Sequence, residues 1–202
     1  MIREKRQIIK ANKHDVARVG KKLTTPFVER LKLDDLEIEK LALKLRGMEK
    51  LSAGLGETTE ERISEQGLKF KKVRVPIGVI LVIYEARPEV TVDAAALCVK
   101  SGNVSILKGG SDAVETNKVL YGCISTALDK AGIDREAVNF ISDGDRRIVK
   151  QLLKEREYID LVIARGGYGL VKAVLSQSKI PVLAHAVGGA RIYIDQSADL
   201  VM

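Results

Sequence analysis

Aromatic side chains make up only 4% of the 202 residues, and tryptophan is absent. Few flat rings are therefore available for stacking on unpaired bases, and no zinc-finger or RNA-stacking motif accompanies them, which disfavours a nucleic-acid binder. Cysteine is equally scarce. Cys98 and Cys123 do not form a close pair, so neither a disulfide framework nor a four-cysteine zinc site can be built from them. With only His14 and His185 beside them, no metal site is expected. No apolar run reaches the length of a membrane span, and the basic opening of residues 1–22 lacks the apolar stretch and cleavage site of a secretory signal. A cytoplasmic protein without a membrane partner is the resulting expectation.

What the chain does contain is 46% hydrophobic and 30% charged residues, enough to bury a core. The simplest organisation is one domain with an appended helical segment. A net charge of +7 and a pI near 9.4 favour phosphorylated ligands, nucleic acid or an acidic partner, or else mark a solvated lysine-rich surface.

Residues 2–65 are helix-like, with charged residues around an imperfect apolar stripe, and Pro26 suits the first turn of a new helix. The composition changes near Gly67. Residues 68–76 (LKFKKVRVP) alternate apolar and basic side chains as a hairpin arm would. From Val79 onward strand and helix alternate: VILVIYE, VSILK, VNFIS, DLVIAR and PVLA are each short, apolar and β-branched, four of them followed by a helical pattern, and RIYID closes the series. This order predicts an α/β fold: a Rossmann-like parallel sheet over residues 67–202 with helices on both faces, preceded by an N-terminal helical segment over residues 1–66. Ser111 is placed to cap the helix after VSILK, whose expected buried stripe includes Leu120, Cys123, Ala127, Leu128 and Ala131 before Gly132 stops it.

Ligands of such sheets lie at the carboxyl ends of the strands. Three loops there have suitable chemistry. In the first, Glu85 and Arg87 flank Ala86 ahead of Pro88; Arg87 could grip a phosphate or carboxylate, or simply pair with Glu85. In the second, Lys108, Gly109, Gly110 and Ser111 offer a lysine and open backbone, or an ordinary tight turn; the order is not that of a P-loop. The third joins Arg165, Gly166 and Gly167 to a helix start, without the dinucleotide glycine spacing. His185, at the end of PVLA, is either a substrate contact or a structural histidine. Cys98 and Cys123 lie among small apolar residues, in the setting of packing side chains and not of thiolates.

The run VPIGVILVIYEARPEVTVDAAALCVKSGNVSILKGGSDA closely resembles the gamma-glutamyl phosphate reductase family of the aldehyde dehydrogenase superfamily, and the likeness continues through YIDLVIARGG, IPVLAH and RIYID. The resemblance implies a Rossmann-like cofactor domain for NADPH/NADP and reduction of gamma-glutamyl phosphate in proline biosynthesis. It implies attack by a cysteine thiolate that displaces phosphate, followed by hydride transfer to the thioester. Lys108 matches the lysine that holds the adenosine ribose, the loop from Arg165 faces the dinucleotide phosphates, and the loop of Glu85 and Arg87 lies near nicotinamide and substrate. The family's Cys-His after its glycine is replaced here by Ala190-Arg191, and its nucleophilic cysteine belongs to a segment beyond the point matched by Met202. The chain is therefore expected to supply the cofactor-binding part, to have no catalytic residue of its own and to be inactive alone. A complementary C-terminal chain or self-association is the expected partner, and a non-catalytic nucleotide-binding or partner-binding remnant is the alternative.

Overall fold

The structure, a computed structural model, describes residues 1–19, 24–85, 87–185 and 193–199. Three helices open the chain: α1 (Lys5–Val19), α2 (Thr25–Leu31), with Pro26 in its first turn as expected, and α3 (Asp35–Glu49). Asp34 starts α3 by accepting a hydrogen bond from the Glu37 N–H at 2.9 Å. Buried Asn12 of α1 clamps the end of α2. Its Nδ2 donates to the Leu31 carbonyl, and its Oδ1 accepts from the Leu33 N–H, each at 2.8 Å.

The helical reading does not extend to Glu65. Thr58–Ile63 is a strand, β1, paired antiparallel with β2 (Lys69–Val73), and the connecting turn from Ser64 to Gly67 lies across the expected division at residue 66. Paired threonines and an isoleucine suit a strand, while Gly54 and Gly56, both at positive φ, end any helix before it. Every residue of both strands is exposed, so no buried face imposes a legible period on them.

Strand β3 (Val79–Tyr84) begins a second, five-stranded sheet. It is followed by α4 (Glu89–Lys100), β4 (Val104–Gly109), α5 (Val114–Ala131), β5 (Val138–Phe140), α6 (Arg146–Leu152), β6 (Leu161–Arg165), α7 (Tyr168–Gln177) and β7 (Val182–Ala184). All pairings are parallel, in the order β5-β4-β3-β6-β7. The expected alternation is thus present from Val79 to Ala184. Of the expected RIYID strand, residues 191 and 192 lie outside the described residues, as does Ala190; Tyr193, Ile194 and Asp195 are in no strand.

β3 is central and feeds two cores. Leu81 and Ile83 join Val162, Ala164, Val171 and Val174 on one face, whereas Ile80, Val82 and Tyr84 join Ala95, Cys98, Leu107, Leu128 and Val138 on the other. Its unbroken apolar run follows from burial on both sides. The N-terminal helices add a further layer, in which Ile8, Ile38 and Leu41 meet Val92 of α4 and Leu120 of α5. No helix among the described residues is long and apolar enough to cross a membrane.

Ser111 does not cap α5. It starts a short 3-10 turn, and neither that turn nor α5 has a side-chain cap from its own N-cap residue. Asp15 of α1 takes that role. Its fully buried carboxylate accepts from the Thr116 N–H and the Thr116 hydroxyl, both at 2.8 Å, and pairs with Arg18 at 3.1 Å. Arg18 in turn donates to the Ser111 carbonyl at 2.6 Å. The inward stripe of α5 is correspondingly shifted: Thr116, Asn117, Leu120 and Leu128 are buried, Cys123 is half-buried, and Ala127 and Ala131 are exposed. Gly132 ends the helix at φ 67°, as expected.

Candidate functional site

The chain runs outward from β3 through β4 to β5 and then returns to β6 on the other flank of β3. Strand order reverses between β3 and β6, and this is where open parallel sheets form a crevice at their carboxyl ends. Register brings the loops to one level there, because Tyr84 faces Gly109 on one side and Arg165 on the other.

Glu85 bridges the crevice. Its N–H donates to the Arg165 carbonyl at 3.1 Å, and its Oε2 accepts from the Gly167 N–H at 2.7 Å, at the positive end of α7. A Cβ on Gly166 would lie 2.5 Å from Leu170 Cδ2 and 2.6 Å from Glu85 Oε2, so both side-chain tips would have to move to admit one. Arg87 pairs with Glu89 at 3.8 Å and not with Glu85, and burial pushes the Glu89 carboxyl above its ordinary range.

A cavity of 280 Å³ opens on this crevice. Its walls include six residues expected from the sequence, Glu85, Arg87, Arg165, Gly166, Gly167 and His185, together with Phe27 and Arg30 of α2. The last two escape sequence reasoning because they sit in a segment that reads only as packing helix.

Lys108, Gly109, Gly110 and Ser111 line a neighbouring cavity of 160 Å³ with Asp145 and Arg146 at the start of α6 and Leu170 of α7. Glu85 belongs to both cavities. Lys108 is buried, and its Nζ donates to the Gly109 carbonyl at 2.9 Å; burial lowers its pKa from the usual lysine value against the upward pull of Asp143. A Cβ on Gly109 would collide with the Asn117 amide and approach the Tyr84 ring at 3.1 Å. Below it runs a buried polar chain: the Tyr84 hydroxyl meets Thr91 Oγ1 at 2.7 Å, and Thr91 donates to Asn117 Oδ1 at 3.0 Å.

Neither thiol reaches these cavities. Cys98 is 5% exposed in the core under α4, and burial pushes its pKa up to about 11. Cys123 is half-buried on α5 against the N-terminal helices.

A nicotinamide dinucleotide, the cofactor implied by the resemblance, fits the Lys108 side of the site. The buried ammonium has three N–H donors but one acceptor among the described residues, which suits a ligand rich in hydroxyl oxygens, and the glycine edges leave room for close approach. A phosphate at the start of α7 would take the Gly167 N–H in place of Glu85.

Residues 2–201 match the aldehyde dehydrogenase family. Gamma-glutamyl phosphate reductase of Clostridium novyi is 44% identical over 203 residues, covering 100% of this chain and 49% of that protein. Among solved structures, gamma-glutamyl phosphate reductase from Thermotoga maritima superposes with a TM-score of 0.89 at 40% identity, covering 98% of this chain and 48% of the other. The corresponding enzyme from Saccharomyces cerevisiae gives 0.79 at 36% identity, covering 92% and 47%. The chain spans about half the length of the curated relatives it matches.

Proposed function

This chain belongs to the aldehyde dehydrogenase family, and from that premise we propose that it is the NADPH-binding part of a gamma-glutamyl phosphate reductase, serving proline biosynthesis in the cytoplasm. The observation that carries this reading is the meeting of two cavities at Glu85, one glycine-edged and floored by Lys108, the other rich in arginine.

Lys108 donates to ribose hydroxyls from the end of β4, while Gly109, Gly110 and Ser111 let the nucleotide lie close to the backbone. Arg165, Gly166 and Gly167 receive the phosphates at the start of α7, where the helix dipole and free N–H groups favour negative charge. NADPH bound there supplies the hydride. Glu85, Arg87 and His185 face the substrate, with Arg87 taking an anionic oxygen bidentately. The displacing thiolate comes from outside these 202 residues, because Cys98 is protonated and enclosed and Cys123 faces the helical layer.

Titration of the purified chain with NADPH, followed by nucleotide fluorescence, tests the cofactor role; no binding at millimolar concentration refutes it. The chain alone is expected to show negligible phosphate-dependent reduction of NADP with glutamate semialdehyde. Activity clearly above background would contradict the absence of a nucleophile.

A second observation favours a docked partner. A groove of 820 Å³ between α7 and β7 is lined by Val171, Leu175 and Val182 and shares His185 with the site, and its Leu175 is 55% exposed. A complementary C-terminal chain, or a second copy, would cover it.

A further inference from the structure

Arg30 has no role in the nucleotide reading, yet its guanidinium lines the 280 Å³ cavity from α2, outside the sheet. Among the described residues that line it, three are arginines, Arg30, Arg87 and Arg165, and Glu85 is the one carboxylate. Arg87 has a loose partner in Glu89, and neither Arg30 nor Arg165 forms an ion pair within the described residues. The cation of Arg30 stands 6.0 Å from the Phe27 ring, a contact that leaves its donors free.

Size narrows the occupant. At ~30 Å³ per water-sized group, 280 Å³ holds about nine such groups, the size of a compact acid. Arg87 stands in the loop between β3 and α4, whereas Arg30 enters from a separate helix held in place by the Asn12 clamp on Leu31 and Leu33. Cations on distinct elements match a short ligand with a negative group at each end.

We propose that Arg30 is a specificity-determining residue that grips the carboxylate at the non-reacting end of a short dianionic acyl substrate, while Arg87 receives the negative charge at the reacting end. The assignment of ends rests on the reductase reading above. The pocket itself selects dicarboxylate-like ligands over short monocarboxylates.

The test uses the full chain, with glutarate and butyrate as probes in NMR titrations of the wild type, R30A and R30K. The wild type is expected to bind glutarate roughly tenfold or more tightly than butyrate, as one added charge-assisted contact provides. R30A should lose about tenfold in glutarate affinity and shift butyrate less than about twofold; R30K, which keeps the charge without the planar fork, should fall between. Because Arg30 is exposed, these variants should melt with the wild type. Equal glutarate affinity in the wild type and R30A overturns the proposal, and so does failure of the wild type to prefer glutarate. NADPH fluorescence titrated in parallel separates the two readings: absence of nucleotide binding with the glutarate preference and its Arg30 dependence intact removes the cofactor role and supports the acid pocket.

Discussion

Replacing Asp15 by alanine removes the group that joins α1 to the start of α5. The fully buried carboxylate serves the Thr116 N–H and hydroxyl at 2.8 Å each and Arg18 at 3.1 Å. Loss of a helix cap costs about 0.5–2 kcal/mol. Stranding a buried donor adds about 1–3 kcal/mol, and the half-exposed ion pair contributes about 0–1 kcal/mol. The expected loss is therefore about 1.5–6 kcal/mol, equivalent to a fall of roughly 3–24 °C in Tm for a chain of this size. Urea denaturation followed by circular dichroism measures it, with T116V and the double variant completing a cycle. The two changes should couple by at least about 0.5 kcal/mol, since they remove the same bond. A D15A loss below about 0.5 kcal/mol, or strict additivity with T116V, would refute the argument that this carboxylate caps α5. D15A should also weaken NADPH binding, because it frees Arg18 from its place against the Ser111 carbonyl.

Further outcomes follow from the same interior. G109A should destabilise by about 1–3 kcal/mol in thermal melts, because the added methyl meets Asn117 and Tyr84 in a filled space. K108M should raise Tm, since burial works against the lysine charge, while lowering NADPH affinity at least about tenfold in fluorescence titration. Cys98 should resist alkylation at pH 8 until denaturant is added. Its thiol is raised from 9.0 in the unfolded reference to about 11, so the stability gained by keeping it protonated is full below pH 9 and fades as pH rises through about 11; pH-dependent urea midpoints of wild type and C98A check this.

Much of the sheet was legible because its strands are short β-branched runs between helical patterns, and because β3, buried on both faces, has no polar alternation to obscure it. β1 was not legible: TTEERI lies wholly in solvent, where hydrophobic period carries no information. The Asp15 cap also escaped, since it closes across about a hundred residues while local rules point to Ser111. The loops of Glu85, Lys108 and Gly166 were readable from lysine, arginine and glycine at strand ends. Arg30 could not be, as nothing near it in sequence announces a cavity between α2 and loops that lie more than fifty residues further along the chain.

The hydrogen-bonded trio of Tyr84, Thr91 and Asn117 has a mechanical consequence. Each of the three belongs to a different element, β3, α4 or α5, and a slide of either helix by one turn would leave a buried hydroxyl or amide without its partner. The ground beneath Gly109 is therefore tied across three elements, and adjustment to a ligand above it falls to the lysine tip and the Glu85 carboxylate.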